Sequence, residues 1–88
     1  MTHSIGEIEW DETDPLHIVG QLVVAPAHGG RVRYEFHVYA PRDDTPSAWC
    51  ELYYAFGDFE FHNRTNFREE TVEMAKAALA RQVELEWR

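Results

Sequence analysis

Residues 49–62, WCELYYAFGDFEFH, constrain the fold more than any other stretch, because six aromatic rings flank a single Gly57-Asp58 pair. Gly followed by Asp suits a two-residue turn of the primed kind, whose twist matches the strands it joins. With those residues as the loop, Phe56 pairs with Phe59, Ala55 with Glu60, Tyr54 with Phe61 and Tyr53 with His62. Directly opposed residues share a sheet face. The expectation is an aromatic patch of Tyr54, Phe56, Phe59 and Phe61 packed under a helix beside Phe67 and Leu79. Tyr53, Glu60 and His62 then point the other way.

The rest of the chain reads as strands leading into that hairpin and a helix leaving it. Alternation marks a first strand over about residues 5–10, with Ile8 and Trp10 on one side and Glu7, Glu9 and Asp11 on the other. A turn through Pro15 leads to a second strand at 16–24. Gly20 falls on its core face, where a glycine suggests a bulge or close packing by a large neighbour such as Trp10. The clearest strand is 31–40, in which Val32, Tyr34, Phe36, Val38 and Ala40 alternate strictly with Arg31, Arg33, Glu35, His37 and Tyr39. Strands at 48–56 and 59–62 form the hairpin, with Cys50 and Leu52 continuing its core face. Asn66 with Glu69 three residues later resembles a capping box, predicting a helix over about 67–86. Its apolar half holds Phe67, Val72, Met74, Ala75, Ala78, Leu79, Val83 and Leu85, and Glu73, Lys76, Ala80 and Glu84 lie opposite. Trp87 projects toward the polar side, so it either folds back or meets a partner. The predicted class is α+β: an antiparallel meander of four to five strands with one C-terminal amphipathic helix on one face, ββββ(β)α.

Eighty-eight residues make one domain with a modest core. No apolar run approaches the roughly 20 residues of a membrane span. Residues 1–12 are acidic and have no apolar signal-peptide core, so a cytoplasmic location is expected. The single Cys50 excludes an intrachain disulfide and a multi-cysteine zinc site. The formal charge is −8, and the first 30 residues hold Glu7, Glu9, Asp11, Glu12 and Asp14 with no Lys or Arg. Such a field repels nucleic acid and anionic membrane and attracts basic protein surfaces. Direct nucleic-acid binding and membrane binding are not expected.

A helix over one face leaves the other to His17, Val19, Gln21, Val23, Arg33, Glu35, His37, Tyr39, Trp49, Glu51, Tyr53, Glu60 and His62. Three histidines and three glutamates could assemble a metal site there, but their spacing matches no metal motif. Glu35 with His37, or Glu51 with His62, could serve as an acid/base pair. No nucleophile elbow or oxyanion loop accompanies them, and Cys50 lies on the core face. The expectation is no enzyme, no cofactor and no metal. Protein binding fits better, because Tyr39, Trp49 and Tyr53 are favoured at interface centres and charged residues suit a rim. The candidate contact residues are Tyr39, Trp49, Glu51, Tyr53, Glu60 and His62 on the sheet face, with Glu7, Glu9, Asp11, Glu12 and Asp14 on an acidic edge.

The run Glu73-Met74-Ala75-Lys76-Ala77-Ala78-Leu79-Ala80-Arg81-Gln82 resembles the final helix of many small phage and prophage proteins. The similarity covers about the last third of the chain. It implies a mobile-element accessory protein, similar in size and acidity to anti-CRISPR inhibitors of host defence, some of which mimic DNA. On that reading the partner is the basic surface of a nucleic-acid-handling protein. The alternative is a homodimer with a structural or regulatory role, built through the exposed aromatic face.

Overall fold

The strand over residues 32–39 is the axis of the molecule, because its strict alternation gives it one wholly apolar face. The computed structural model describes residues 3–87. Its elements are β1 (Ser4–Ile5), β2 (Glu9–Asp11), β3 (His17–Ala25), β4 (Val32–Tyr39), β5 (Ala48–Phe56), β6 (His62–Glu69) and α1 (Val72–Glu86). All pairings are antiparallel in the order β1-β3-β4-β5-β6, and β2 also pairs with β3. One helix packs on one face, as the α+β meander requires.

The core lies between the even-numbered face of β3–β5 and the helix. Ile18, Leu22, Val24, Val32, Tyr34, Phe36, Val38, Cys50 and Leu52 are buried there with Ala75, Leu79 and Val83. Burial pushes the Cys50 thiol up to about 11, so it is almost wholly protonated near neutral pH. The helix buries a narrower stripe than its sequence predicts. Met74 and Leu85 are exposed, whereas Lys76, expected on the outer half, is half-buried. Its ammonium lies 5.4 Å from the Trp10 ring centroid and 3.2 Å from Glu12 Oε1. Trp10 explains Gly20: an ideal Cβ at Gly20 would sit 2.7 Å from two ring carbons of Trp10. The glycine lets the indole cross β3 and reach Phe36, 5.6 Å away between centroids.

The first predicted strand is interrupted. Ile5 pairs with Val24 and Glu9 with Gln21, so three residues, Gly6 to Ile8, oppose two on β3. That extra residue is a bulge, a common way to blunt a sheet edge.

The hairpin departs most from expectation. The tight turn is present: Gly57 has φ of 56° and Phe59 N donates to Phe56 O at 3.1 Å. Pairing, however, resumes only at His62, which opposes Tyr54. The ladder has therefore slipped by one residue from the predicted pairing of Tyr54 with Phe61, and a slip of one exchanges faces. Arg33 supplies the physical reason. Its Nε donates to Gly57 O at 2.8 Å and its Nη2 to Phe59 O at 2.9 Å, while its guanidinium stacks on Phe61. Those bonds draw residues 57–61 away from the ladder. Phe56 and Phe59 are consequently 57% and 76% exposed, not packed under the helix. The Tyr54 ring instead has Arg64 over it, 5.6 Å from its centroid, and Arg64 pairs with Glu86 at the end of α1.

The predicted strand 59–62 is thus replaced by the longer β6, and the helix starts later. Asn66 and Glu69 lie in β6, opposite Glu51 and Ala48, so they do not form the capping box. The cap is Thr71, whose Oγ1 accepts from Met74 N at 3.1 Å. A bulge at Leu52/Tyr53 leaves Arg64 unopposed, and the Asn63 side chain donates to Leu52 O at 3.3 Å there. At the far end Trp87 folds back, its Nε1 donating to Tyr34 Oη at 2.7 Å. Tyr34 Oη in turn donates to Glu86 Oε2 at 2.7 Å.

Candidate functional site: the helix-free sheet face

Registers fix which side chains share the face away from the helix. One row is His17, Tyr39, Trp49 and Arg68; the next is Asp11, Val19, His37, Glu51 and Asn66. A third is Glu9, Gln21, Glu35, Tyr53 and Asn63, and a fourth is Val23, Arg33 and Ala55. Of the predicted contact residues, the face gathers Tyr39, Trp49, Glu51 and Tyr53, together with Glu9 and Asp11 from the acidic edge.

The others lie elsewhere. Glu7 sits in the bulge between β1 and β2. Glu12 is drawn to Lys76 of the helix. Asp14 closes a turn by accepting from Leu16 N at 2.9 Å. Glu60 is exposed in the 57–61 segment, and His62 lies on the helix side, its ring 6.3 Å from that of Tyr54. The register slip removes these last two from the face. In their place β6 contributes Asn63, Asn66 and Arg68. The alternation of Thr65, Phe67 and Glu69 with Asn66 and Arg68 carried that signal, but Phe67 fits a helical period equally well.

Side chains on this face are mutually ordered. Glu51 accepts from Trp49 Nε1 at 3.0 Å and from Tyr53 Oη at 3.2 Å, so one carboxylate bridges two rings of the same strand. The His17 Nε2 and His37 Nδ1 atoms lie 2.8 Å apart, and His37 Nε2 lies 2.7 Å from Glu35 Oε1. If Glu35 is a carboxylate it can only accept, so His37 carries its proton on Nε2. A neutral His37 then accepts on Nδ1 from His17 Nε2–H. The Tyr39 ring stacks on His17 at 4.3 Å and 13°, and His37 meets Tyr53 edge-on at 5.5 Å. Arg68 lies over Trp49, 4.9 Å from its centroid. Burial first and the Glu51 carboxylate second raise the phenols of Tyr39 and Tyr53 above the ordinary range. The Asp11 carboxyl is held below its usual range by hydrogen bonds from Thr13.

Glu35 and His37 are therefore in contact, whereas Glu51 is bound to Trp49 and Tyr53 rather than to His62. Among the described residues no group of three His, Cys, Asp or Glu side chains gathers closely enough to hold a metal ion. No helix among them is long and apolar enough to cross a membrane.

Two further surfaces are distinct from this face. One end of the sheet, which holds the 12–16 turn, the 40–47 loop and the start of α1, carries Glu12, Asp14, Asp43, Asp44, Glu70 and Glu73 beside two cations, Arg42 of the loop and Lys76, which pairs with Glu12 and Glu73. The opposite end has an open depression of about 320 Å³ bordered by Pro26, Val32, Phe56, Phe59 and Trp87. Compared with known protein families, curated proteins and solved structures, the chain has no match.

Proposed function

We propose that the chain is a small acidic protein-binding module whose helix-free sheet face is its docking surface. The observation that supports this reading is the ordered ring array in which Trp49, Tyr53, Tyr39, His17 and His37 are linked through Glu51 and Glu35. Rings of these types anchor interface centres. Side chains already held by hydrogen bonds and stacking lose less conformational freedom on docking. Glu9, Asp11, Arg33 and Arg68 supply the polar rim.

A second reading draws on the acidic end, where three separate segments each contribute carboxylates. Such a surface suits a basic groove that ordinarily holds nucleic acid, as an inhibitor of a nucleic-acid-handling protein would require. One capture experiment on immobilised protein separates the two. The sheet-face reading expects Tyr53→Lys, which meets Glu35 and Glu51, and Val23→Glu, which meets Arg33, to lose the partner at an unchanged melting temperature. The acidic-end reading expects loss on reversal of Asp14, Asp43 and Asp44, with binding that weakens as salt rises. Capture that survives Tyr53→Lys and Val23→Glu contradicts the first reading.

A further inference from the structure

We infer that the His17–His37–Glu35 chain is a proton-operated latch on the helix-free face, closed with one added proton and opened by a second. Its consequence for docking rests on the proposed use of that face, and it goes further by saying how that use is regulated. Both histidines are half-buried, and His17 Nε2 lies 2.8 Å from His37 Nδ1. The ring centroids are 5.0 Å apart and the planes 28° from parallel, so this short contact runs near both ring planes, as an N–H···N bond requires.

A bond between two imidazoles needs a proton on one nitrogen and a lone pair on the other. In the neutral pair His17 Nε2–H donates to His37 Nδ1, and His37 Nε2–H donates to Glu35 Oε1, 2.7 Å away. One added proton keeps both bonds. Placed on His17 Nδ1, it leaves the chain as it was. Passed along to His37, it makes an imidazolium that donates to Glu35 from one nitrogen and to a neutral His17 from the other. A second proton, on the remaining ring, sets N–H against N–H across 2.8 Å with no lone pair between them. The rings must then part.

The surrounding groups favour the first proton without supplying a substitute for the lost lone pair. On the same face β4 carries Arg33, Glu35 and Tyr39, β5 carries Glu51 and Tyr53, β2 carries Glu9 and Asp11, and β6 carries Arg68. Asp14 lies in the turn before His17, and Arg42 and Asp44 of the 40–47 loop border Tyr39. Glu51 is already the acceptor for Trp49 and Tyr53, and Asp11 for Thr13. Arg33 is turned to the carbonyls of Gly57 and Phe59. His17 is the first residue of β3, next to the turn, so it is the ring with room to swing. Tyr39 is stacked on it at 4.3 Å, and His37 meets Tyr53 at 5.5 Å. Opening the latch therefore displaces Tyr39, an anchor of the docking face, and loosens Tyr53.

Ring nitrogen and carbon NMR spectra of the labelled full chain, recorded from about pH 8 down to about pH 5, test this. The pair should take up its protons in two separate steps. The Tyr39 ring signals should hold through the first and move at the second, with the amides of Ala75–Val83 unchanged. In His17→Gln the amide replaces the imidazole beside His37 Nδ1 and does not titrate, so the second step and the Tyr39 movement should both be absent. Capture of the partner should weaken about tenfold or more over the same range, and by less in His17→Gln. A single step shared by both histidines, a Tyr39 ring that does not move, or the same movement in His17→Gln overturns the latch. Loss of the helix signals together with the Tyr39 movement is acid unfolding and overturns it too. Docking is tested apart from the latch at about pH 8, where the latch is closed. Loss of capture there on Tyr53→Lys keeps the docking reading even if the ring spectra refute the latch. Capture there that survives Tyr53→Lys and Val23→Glu removes the docking reading and leaves the latch to the spectra, which decide it alone.

Discussion

Replacing Phe36 with Ala should destabilise the fold by about 3–5 kcal/mol, the range for deleting a fully buried aromatic ring. Phe36 is fully buried at the centre of β4, in one row with Gly20 and Leu52. Its ring lies 5.6 Å from that of Trp10 and 6.4 Å from that of Tyr34. Truncation removes its own transfer energy and leaves a cavity that a sheet held on both sides of β4 cannot close. A chain of 88 residues has a total stability of about 4–13 kcal/mol. The loss is therefore a third or more of the whole in most of that range. Urea unfolding should show a much lower midpoint at an unchanged slope. A shift below about 1 kcal/mol would mean the core is not centred on this ring.

The second large effect is at Gly20. Leucine there should cost about 2–3 kcal/mol, although a strand normally gains from losing a glycine. That gain is only about 0.5–1 kcal/mol. Opposing it, the Cβ alone would sit 2.7 Å from Trp10 and 3.1 Å from the Ile8 Cγ2 methyl. The indole is held from its other side by Lys76, so relief comes by moving β2 away from β3. That movement carries Glu9 and Asp11 with it, because they flank Trp10 in the same strand. Gly20→Leu should thus lower stability and weaken capture of the sheet-face partner together, whereas Val23→Glu, at a half-exposed position opposite Arg33, affects capture alone. Thermal unfolding and capture on immobilised protein, run on the same samples, check both halves.

The β-strands whose periodicity had no competitor were legible in the sequence. Residues 32–39 alternate without a break, and 48–56 follow the same parity, so the structure places Val32 to Val38 and Cys50 to Leu52 inside as expected. Gly20 under Trp10 was legible for a simple steric reason: a glycine on a core face needs a large neighbour. The hairpin register was not. Phe59 and Phe61 alternate like core residues, and nothing local reveals that Arg33, 24 residues before Gly57 in the chain, binds the carbonyls of Gly57 and Phe59. The helix start failed for a related reason. Asn66 and Glu69 satisfy a capping pattern, but β5 offers the same segment a complete ladder, and Thr71 supplies a cap five residues later. These two errors moved Glu60 and His62 off the candidate face and hid Arg68, Asn63 and Asn66. The part of the face carried by β3, β4 and β5 was unaffected, since its parity depends on strands that were read correctly.

The most direct test of the helix-free face as the docking surface is a map of which backbone amides respond on association. Heteronuclear NMR spectra of the labelled full chain, recorded with and without the captured partner, supply that map. Shifts should concentrate at Val19–Val23, Glu35–Tyr39 and Trp49–Tyr53, with the helix residues Met74–Leu85 unmoved. Changes confined to the helix or to the Gly57–Phe61 segment, with the sheet face silent, would contradict it.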